Sequence, residues 1–314
     1  MGKLPEDLKF KPWDGFIKFA LGENVKQSNW GDNQTVRYPQ TRMGVEQVYI
    51  DAFTRARTYE KQWNIYNSVK DKTKAVRPMK NLELDAMSEI LNSKRFITCH
   101  SYIRSEINML MHVADSFNFR VNTFTHILEG YKVADKMKKH GAGASSFADW
   151  WAYKYEVMEA IPYNMYIMNK MGIVTAVNSD DAEMARRLNQ EAAKGIKYGS
   201  VSEEEAWKFA TLNPAKLLHV DDRVGSIKAG KDADIVLWNN NPLSVYATPV
   251  KTFVDGICYY DVDRDAQLAI KNEKERQRII QKMITEKNSP GGEPPVVKQK
   301  KEMHCDDNEH PYHY

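Results

Sequence analysis

Three polar side chains stand where a short apolar run stops. His100 follows Phe96-Ile97-Thr98-Cys99, His126 follows Val121-Asn122-Thr123-Phe124-Thr125, and Asp180 follows Val174-Thr175-Ala176-Val177-Asn178-Ser179. Two imidazoles and a carboxylate form a ligand set for Zn²⁺ or a similar divalent ion. Taken singly, a histidine after a strand is more often a hydrogen-bonded structural residue. Three such residues at successive strand ends favour the metal reading, because parallel barrel strands present all their C-termini on one side. Lys18 is a fourth candidate within the apolar run Gly15-Phe-Ile-Lys-Phe-Ala-Leu21. A buried, unpaired ammonium there would cost several kcal/mol. Either Lys18 snorkels to water, or CO₂ carboxylates its amine and makes it an oxygen ligand able to bridge two metals. His112, His140 and His219 fall within or just after helical stretches, and His304, His310 and His313 lie in a tail of disordered composition.

The elements around these residues follow from periodicity and punctuation. Gly15 to Leu21 reads as a buried strand, and 45–68 and 82–91 as helices of a long connection. Strands at 95–99, 120–124 and 173–177 then alternate with helices at 106–117, 130–139, 163–171 and 184–198, and Gly141-Ala-Gly-Ala-Ser-Ser-Phe147 stands at a further strand. Such alternation argues parallel pairing in an α/β fold. Ser202-Glu-Glu-Glu205 matches a capping box opening the next helix, which Asn213-Pro214 restarts or kinks. Short strands near 233–238 and 252–260 break the alternation and suit a separate β module. A charged helix from about 264 to 287 and a Pro- and Gly-rich linker into a disordered tail follow. The division expected is 1–218 for the barrel part, 219–262 for the β module, 263–288 for the helix and 289–314 for the tail.

The 314 residues can bury a large core. Lys plus Arg total 45 against 42 Asp plus Glu, a formal charge of +3 without a long basic face, which argues against a nucleic-acid partner. No run approaches the roughly 18 to 20 apolar residues of a membrane span, and the first residues carry no apolar signal-peptide core. Cys99, Cys258 and Cys305 are too few and too scattered for a disulfide framework or a paired-cysteine zinc site.

Ile17-Lys-Phe-Ala-Leu-Gly-Glu-Asn24, the two strand-end histidines, Asn178-Ser-Asp180, Ala210-Thr-Leu-Asn-Pro-Ala-Lys-Leu-Leu218 and Val224-Gly-Ser-Ile-Lys-Ala-Gly-Lys-Asp-Ala-Asp-Ile-Val-Leu-Trp238 together resemble the metal-dependent amidohydrolase superfamily. The branch they most resemble is the imidazolonepropionase and prolidase-like group. The resemblance covers about 14–261; its most specific part, 210–238, belongs to a structural module and is silent on substrate. It implies a (β/α)₈ barrel with a small β-sandwich, and metal ligands comprising a His-x-His pair on the first strand, a carboxylated Lys on the fourth, His on the fifth and sixth, and Asp on the eighth. Lys18, His100, His126 and Asp180 match the last four. No His-x-His precedes Lys18, since His100 is the first histidine of the chain. The expected fold is therefore a partial TIM barrel, strands four to eight, with part of the β-sandwich. A preceding segment or a partner chain would bring the missing pair and cover the open edges.

The resemblance implies hydrolysis of an amide-type C–N bond in a small cyclic amide or short peptide, with one or two divalent metals, zinc by ligand type. Asp180 would serve as ligand and general base. Tyr102 and Arg42 stand where a substrate carboxylate could bind. Trp150 and Trp151 could wall the pocket, although packing between helices is the commoner fate of such residues. Two other readings remain: an inactive, truncated relative serving as a binding or assembly subunit, and a mononuclear deaminase, for which Glu106 is poorly placed as the extra base. A homo-oligomer is compatible with either.

Overall fold

The computed structural model describes residues 4–10, 13–26, 37–148, 150 and 152–291. Trp151, Cys305 and the histidines at 304, 310 and 313 lie outside the described residues. Five strands, β1 (Gly15–Ala20), β2 (Arg95–His100), β3 (Val121–Thr125), β4 (Gly143–Ser146) and β5 (Thr175–Val177), form one sheet in the order β1-β2-β3-β4-β5. Every neighbouring pair is parallel. Sequential parallel order matches a barrel wall rather than a doubly wound sheet, whose strand order reverses. The sheet stays open, and β1 and β5 are its edges. The fold is thus mixed α/β with a five-stranded parallel sheet.

Alternation within the strands sorts side chains to the two faces. Phe19, Cys99 and Phe124 share one register row and are buried on the face that carries the core. Lys18, beside Thr98, and His100, beside Ala20 and Thr125, belong to the other face. Lys18 is exposed. Of the two readings of Lys18, the exposed side chain agrees with the one that reaches water. An apolar run says which face is buried only for every second residue, and β1 has a strand on one side alone.

Between β1 and β2 runs the helix Arg42–Ser68, opened by Thr41, whose hydroxyl accepts from Gly44 N at 3.0 Å. Its buried Val45, Phe53, Ala56 and Tyr59 form one stripe. Phe53 is fully buried, with ring centroids 4.3 Å from Phe119, 5.5 Å from Phe117 and 6.3 Å from Phe19, so it joins this long connection to the sheet. The helix Leu82–Leu91 packs beside it, where Tyr59 Oη donates to Asp85 Oδ1 at 2.7 Å.

Further helices Arg104–Phe117, Ala134–His140, Asn164–Lys170 and Leu188–Gly199 separate or follow the remaining strands. The stretch expected as one helix from Met184 is two, Ala182–Ala185 and Leu188–Gly199. Asp181 caps the first by accepting from Met184 N at 2.9 Å, and Arg187 at φ −127° breaks the path. The capping-box reading at Ser202 holds by half: its Oγ accepts from Glu205 N at 3.2 Å, while the Glu205 carboxylate is taken by Lys208 Nζ at 2.6 Å.

His140 closes its helix against β3. Its Nε2 accepts from Val121 N at 3.1 Å, which places the proton on Nδ1, facing Asp115 Oδ1 at 3.2 Å. Burial outweighs Asp115 and holds its pKa below the usual histidine range. A depressed folded pKa gives stability that is complete above the unfolded value, roughly 6.5, and is lost as pH falls through the folded one. His140→Gln is expected to flatten this acid limb of a urea-midpoint titration; an unchanged limb would contradict the assignment.

The second sheet is antiparallel: β6 (Ile235–Trp238), β7 (Pro249–Val254) and β8 (Ile257–Asp261). Asp255 and Gly256, at φ 51° and 74°, make the tight turn between β7 and β8 that two positive-φ residues allow. Asp261 caps the helix Val262–Asn288, none of whose residues is buried. Among the described residues no helix is long and apolar enough to cross a membrane.

Candidate active site

His100 ends β2 and His126 follows β3 directly. The chain turns sharply at His126, which sits at φ 55° with Leu128 N donating to its carbonyl at 2.7 Å. A left-handed conformation at a non-glycine residue costs energy, and it recurs where a side chain must be aimed. It brings the two imidazole centroids to 5.1 Å, with the residues 4% and 9% exposed respectively. Asp180 comes from beyond β5, whose ladder is extended by Asn178 N donating to Ser146 O at 3.0 Å. Its Oδ1 lies 3.4 Å from His126 Nε2, and the side chain is 38% exposed. The neighbouring Asp181 is used as a helix cap, so the structure separates two adjacent carboxylates by role.

Burial keeps both histidines neutral. It pulls the His100 pKa down to about 3, helped by the charges of His126, Lys154 and Lys18. His126 is also shifted down, again chiefly by burial, and the Asp180 carboxylate does not reverse the shift. Their contact is therefore a polar one rather than an ion pair. Among the described residues, the buried His100 Nε2 has no hydrogen-bond partner. Such an atom costs ~1–3 kcal/mol unless something binds it.

Two neutral imidazoles and a carboxylate, with one nitrogen left open, fit a divalent ion in donor chemistry. They fit as an incomplete set, since among the described residues no group of three or more His, Cys, Asp or Glu is already assembled to hold a metal. Lys18 stands on the same sheet face, and its charge disfavours protonation of both histidines.

Aromatic residues wall one side. Tyr102 is 4.7 Å from His100 and 6.2 Å from His126 between ring centroids, and Phe147 is 5.8 Å from His126. Trp150 is half-buried against Phe147 at 4.9 Å and Tyr153 at 5.4 Å. Burial and neighbouring acidic groups push the Tyr102 hydroxyl up, and it shares a hydrogen bond with Tyr153. Lys154 Nζ lies 4.2 Å over the Tyr102 ring and 3.8 Å from Glu156 Oε2.

Arg42 opens the long helix and pairs with the buried Glu106, Nε to Oε1 3.3 Å. Removing Arg42 from that contact would leave Glu106 without its nearest cation. The structure thus brings together His100, His126, Asp180, Tyr102 and Trp150, and gives Arg42 a partner of its own. Asn178, Lys154 and Tyr153 were missed by sequence reasoning. The Trp-Trp-Ala-Tyr-Lys-Tyr run at 150–155, cationic amid aromatics just after a strand, was the available signal.

The amidohydrolase family model matches residues 163–259. Amidohydrolase tasK of Hapsidospora irregularis is 29% identical over 256 residues, covering 78% of this chain and 26% of that protein. The crystal structure of an amidohydrolase from Thermotoga maritima MSB8 superposes with a TM-score of 0.69 at 27% identity, over 78% of this chain and 62% of the other. Over these spans the chain is similar to the amidohydrolase superfamily. An imidazolonepropionase from Picrophilus torridus is 31% identical over 72 residues, 23% of this chain and 18% of that enzyme. The chain spans about a quarter of the length of the Hapsidospora relative and under two thirds of the Thermotoga one.

Proposed function

We propose that this chain supplies the strand-end face of a metal-dependent hydrolase of an amide-type C–N bond, in a small cyclic amide or a short peptide. His100, His126 and Asp180 would hold the ion, zinc by donor type. The observation that carries the reading is the buried, unpartnered Nε2 of His100 beside the His126–Asp180 pair. A bound divalent ion would lower the pKa of a water and polarise the scissile carbonyl. The exposed Asp180 carboxylate takes the proton of that water and returns it to the leaving nitrogen. The buried histidines stay neutral and so offer lone pairs rather than N⁺–H groups.

Three donors do not complete a zinc site, and β1 and β5 have free edges. Both features suit barrel strands four to eight awaiting further strands, with a His-x-His pair, from a longer polypeptide or a partner chain. Carboxylation of Lys18 would exchange a cation that opposes a metal for an anion that binds one. It would be read as a mass increase of one CO₂ per chain and bicarbonate-dependent metal content; neither change would reject it. The division of the chain at 218, 262 and 288 belongs to the same proposal.

With Arg42 engaged, Lys154 takes over the role of substrate-carboxylate anchor, and Trp150 with Tyr102 forms the adjoining wall. A charge-assisted contact of ~1.5–3 kcal/mol makes Lys154→Ala raise KM roughly 10–100-fold for acidic substrates and leave their methyl esters unaffected. Equal losses on acid and ester would remove Lys154 from this role.

The proposed reaction is tested by offering dipeptides, N-acyl amino acids and cyclic amides to the zinc-supplemented chain assembled with the segment or partner chain that brings the His-x-His pair. Hydrolysis abolished by a chelator and restored by zinc is the expected result; chelator-resistant hydrolysis would overturn the metal's part. The second reading, a non-catalytic assembly subunit, is favoured by the lack of an assembled three-donor group among the described residues. It predicts no zinc retention by the chain.

A further inference from the structure

Asn178 Nδ2 lies 2.8 Å from His126 Nδ1, while the buried Asn178 Oδ1 has no hydrogen-bond partner among the described residues. In this arrangement the amide donates to Nδ1, the ring proton sits on Nε2, and Nε2 lies 3.4 Å from Asp180 Oδ1. The Nε2 lone pair is then unavailable to a metal. Rotating the carboxamide by half a turn exchanges its oxygen and nitrogen. Oδ1 then accepts from Nδ1–H and the Nε2 lone pair is freed, while Nδ2 takes the place that the oxygen left. Nε2 and Asp180 Oδ1 now face each other as two acceptors, an arrangement that repels unless a cation stands between them.

We infer that Asn178 is a positioning residue whose carboxamide rotation sets the His126 tautomer, and with it whether the Nε2 lone pair is withheld from, or offered to, a divalent ion beside Asp180. The inference rests on the proposed metal reading, and it adds that one amide exchanges a withholding state for a receptive one. An aspartate at 178 can only accept and holds the receptive tautomer permanently. A leucine can do neither.

The test is the ¹⁵N spectrum of the imidazoles in the full 314-residue chain, with zinc affinity measured against a competing chelator. Metal-free wild type should show His126 mainly as the Nε2–H form, shifting to Nδ1–H on zinc addition. Asn178→Asp should show Nδ1–H without zinc. Asn178→Leu should bind zinc roughly 10–100-fold more weakly. An Asn178→Asp protein that keeps Nε2–H, or a wild type whose His126 binds zinc through Nδ1, would overturn the inference. If zinc binds none of the proteins, the metal reading fails by itself, and the metal-free contrast between wild type and Asn178→Asp still decides the role of Asn178.

Discussion

Asp180→Asn is expected to lower kcat by roughly 10²–10⁴-fold, the range attributed to a positioned general base, while zinc stays bound. An amide oxygen can still lie against a metal, but an amide cannot take a proton from water. Asp180 is the exposed member of the cluster and reaches His126 Nε2 at 3.4 Å, so it alone combines contact with the histidines and access to solvent. The check is kcat and metal content on the same sample. A variant with both lost would make Asp180 chiefly a ligand, and kcat within about threefold of wild type would place the base elsewhere.

Phe53→Ala is expected to cost ~3–5 kcal/mol of stability, as for other fully buried aromatic truncations. Phe53 meets Phe19 of β1 and Phe117 and Phe119 around the following βα unit. It therefore ties the long helix Arg42–Ser68 to the sheet on which the site is built. The measurement is the urea midpoint at constant slope. A loss below about 1 kcal/mol would show that the long connection is not coupled to the sheet.

The elements around the site were legible where a single local rule decides. Gly15, Arg95 and Leu82 begin elements close to where pattern and punctuation place them, and Asp255-Gly256 makes the hairpin turn its residue types allow. The convergence of His100, His126 and Asp180 followed from parallel order, a global property that strand-helix alternation encodes. What escaped depended on neighbours distant in sequence. The exposure of Lys18 is set by what lies beside β1. The placement of Arg42 is set by Glu106, a buried residue on the helix after β2 that pairs with it. Asn178 was visible as part of Asn-Ser-Asp, but its contact with His126 spans 52 residues and depends on the left-handed turn at His126. The break at Arg187 competes with an otherwise helical pattern, and the cap at Asp181 decides it.

Zinc retention by equilibrium dialysis tests the central claim most directly. Wild type is expected to keep at least one equivalent, supplied with its missing donors if the site needs them, and the His100→Ala/His126→Ala double variant to keep none under the same conditions. Equal zinc in both proteins would contradict the account, because the metal would then lie away from the strand ends that His100, His126 and Asp180 define.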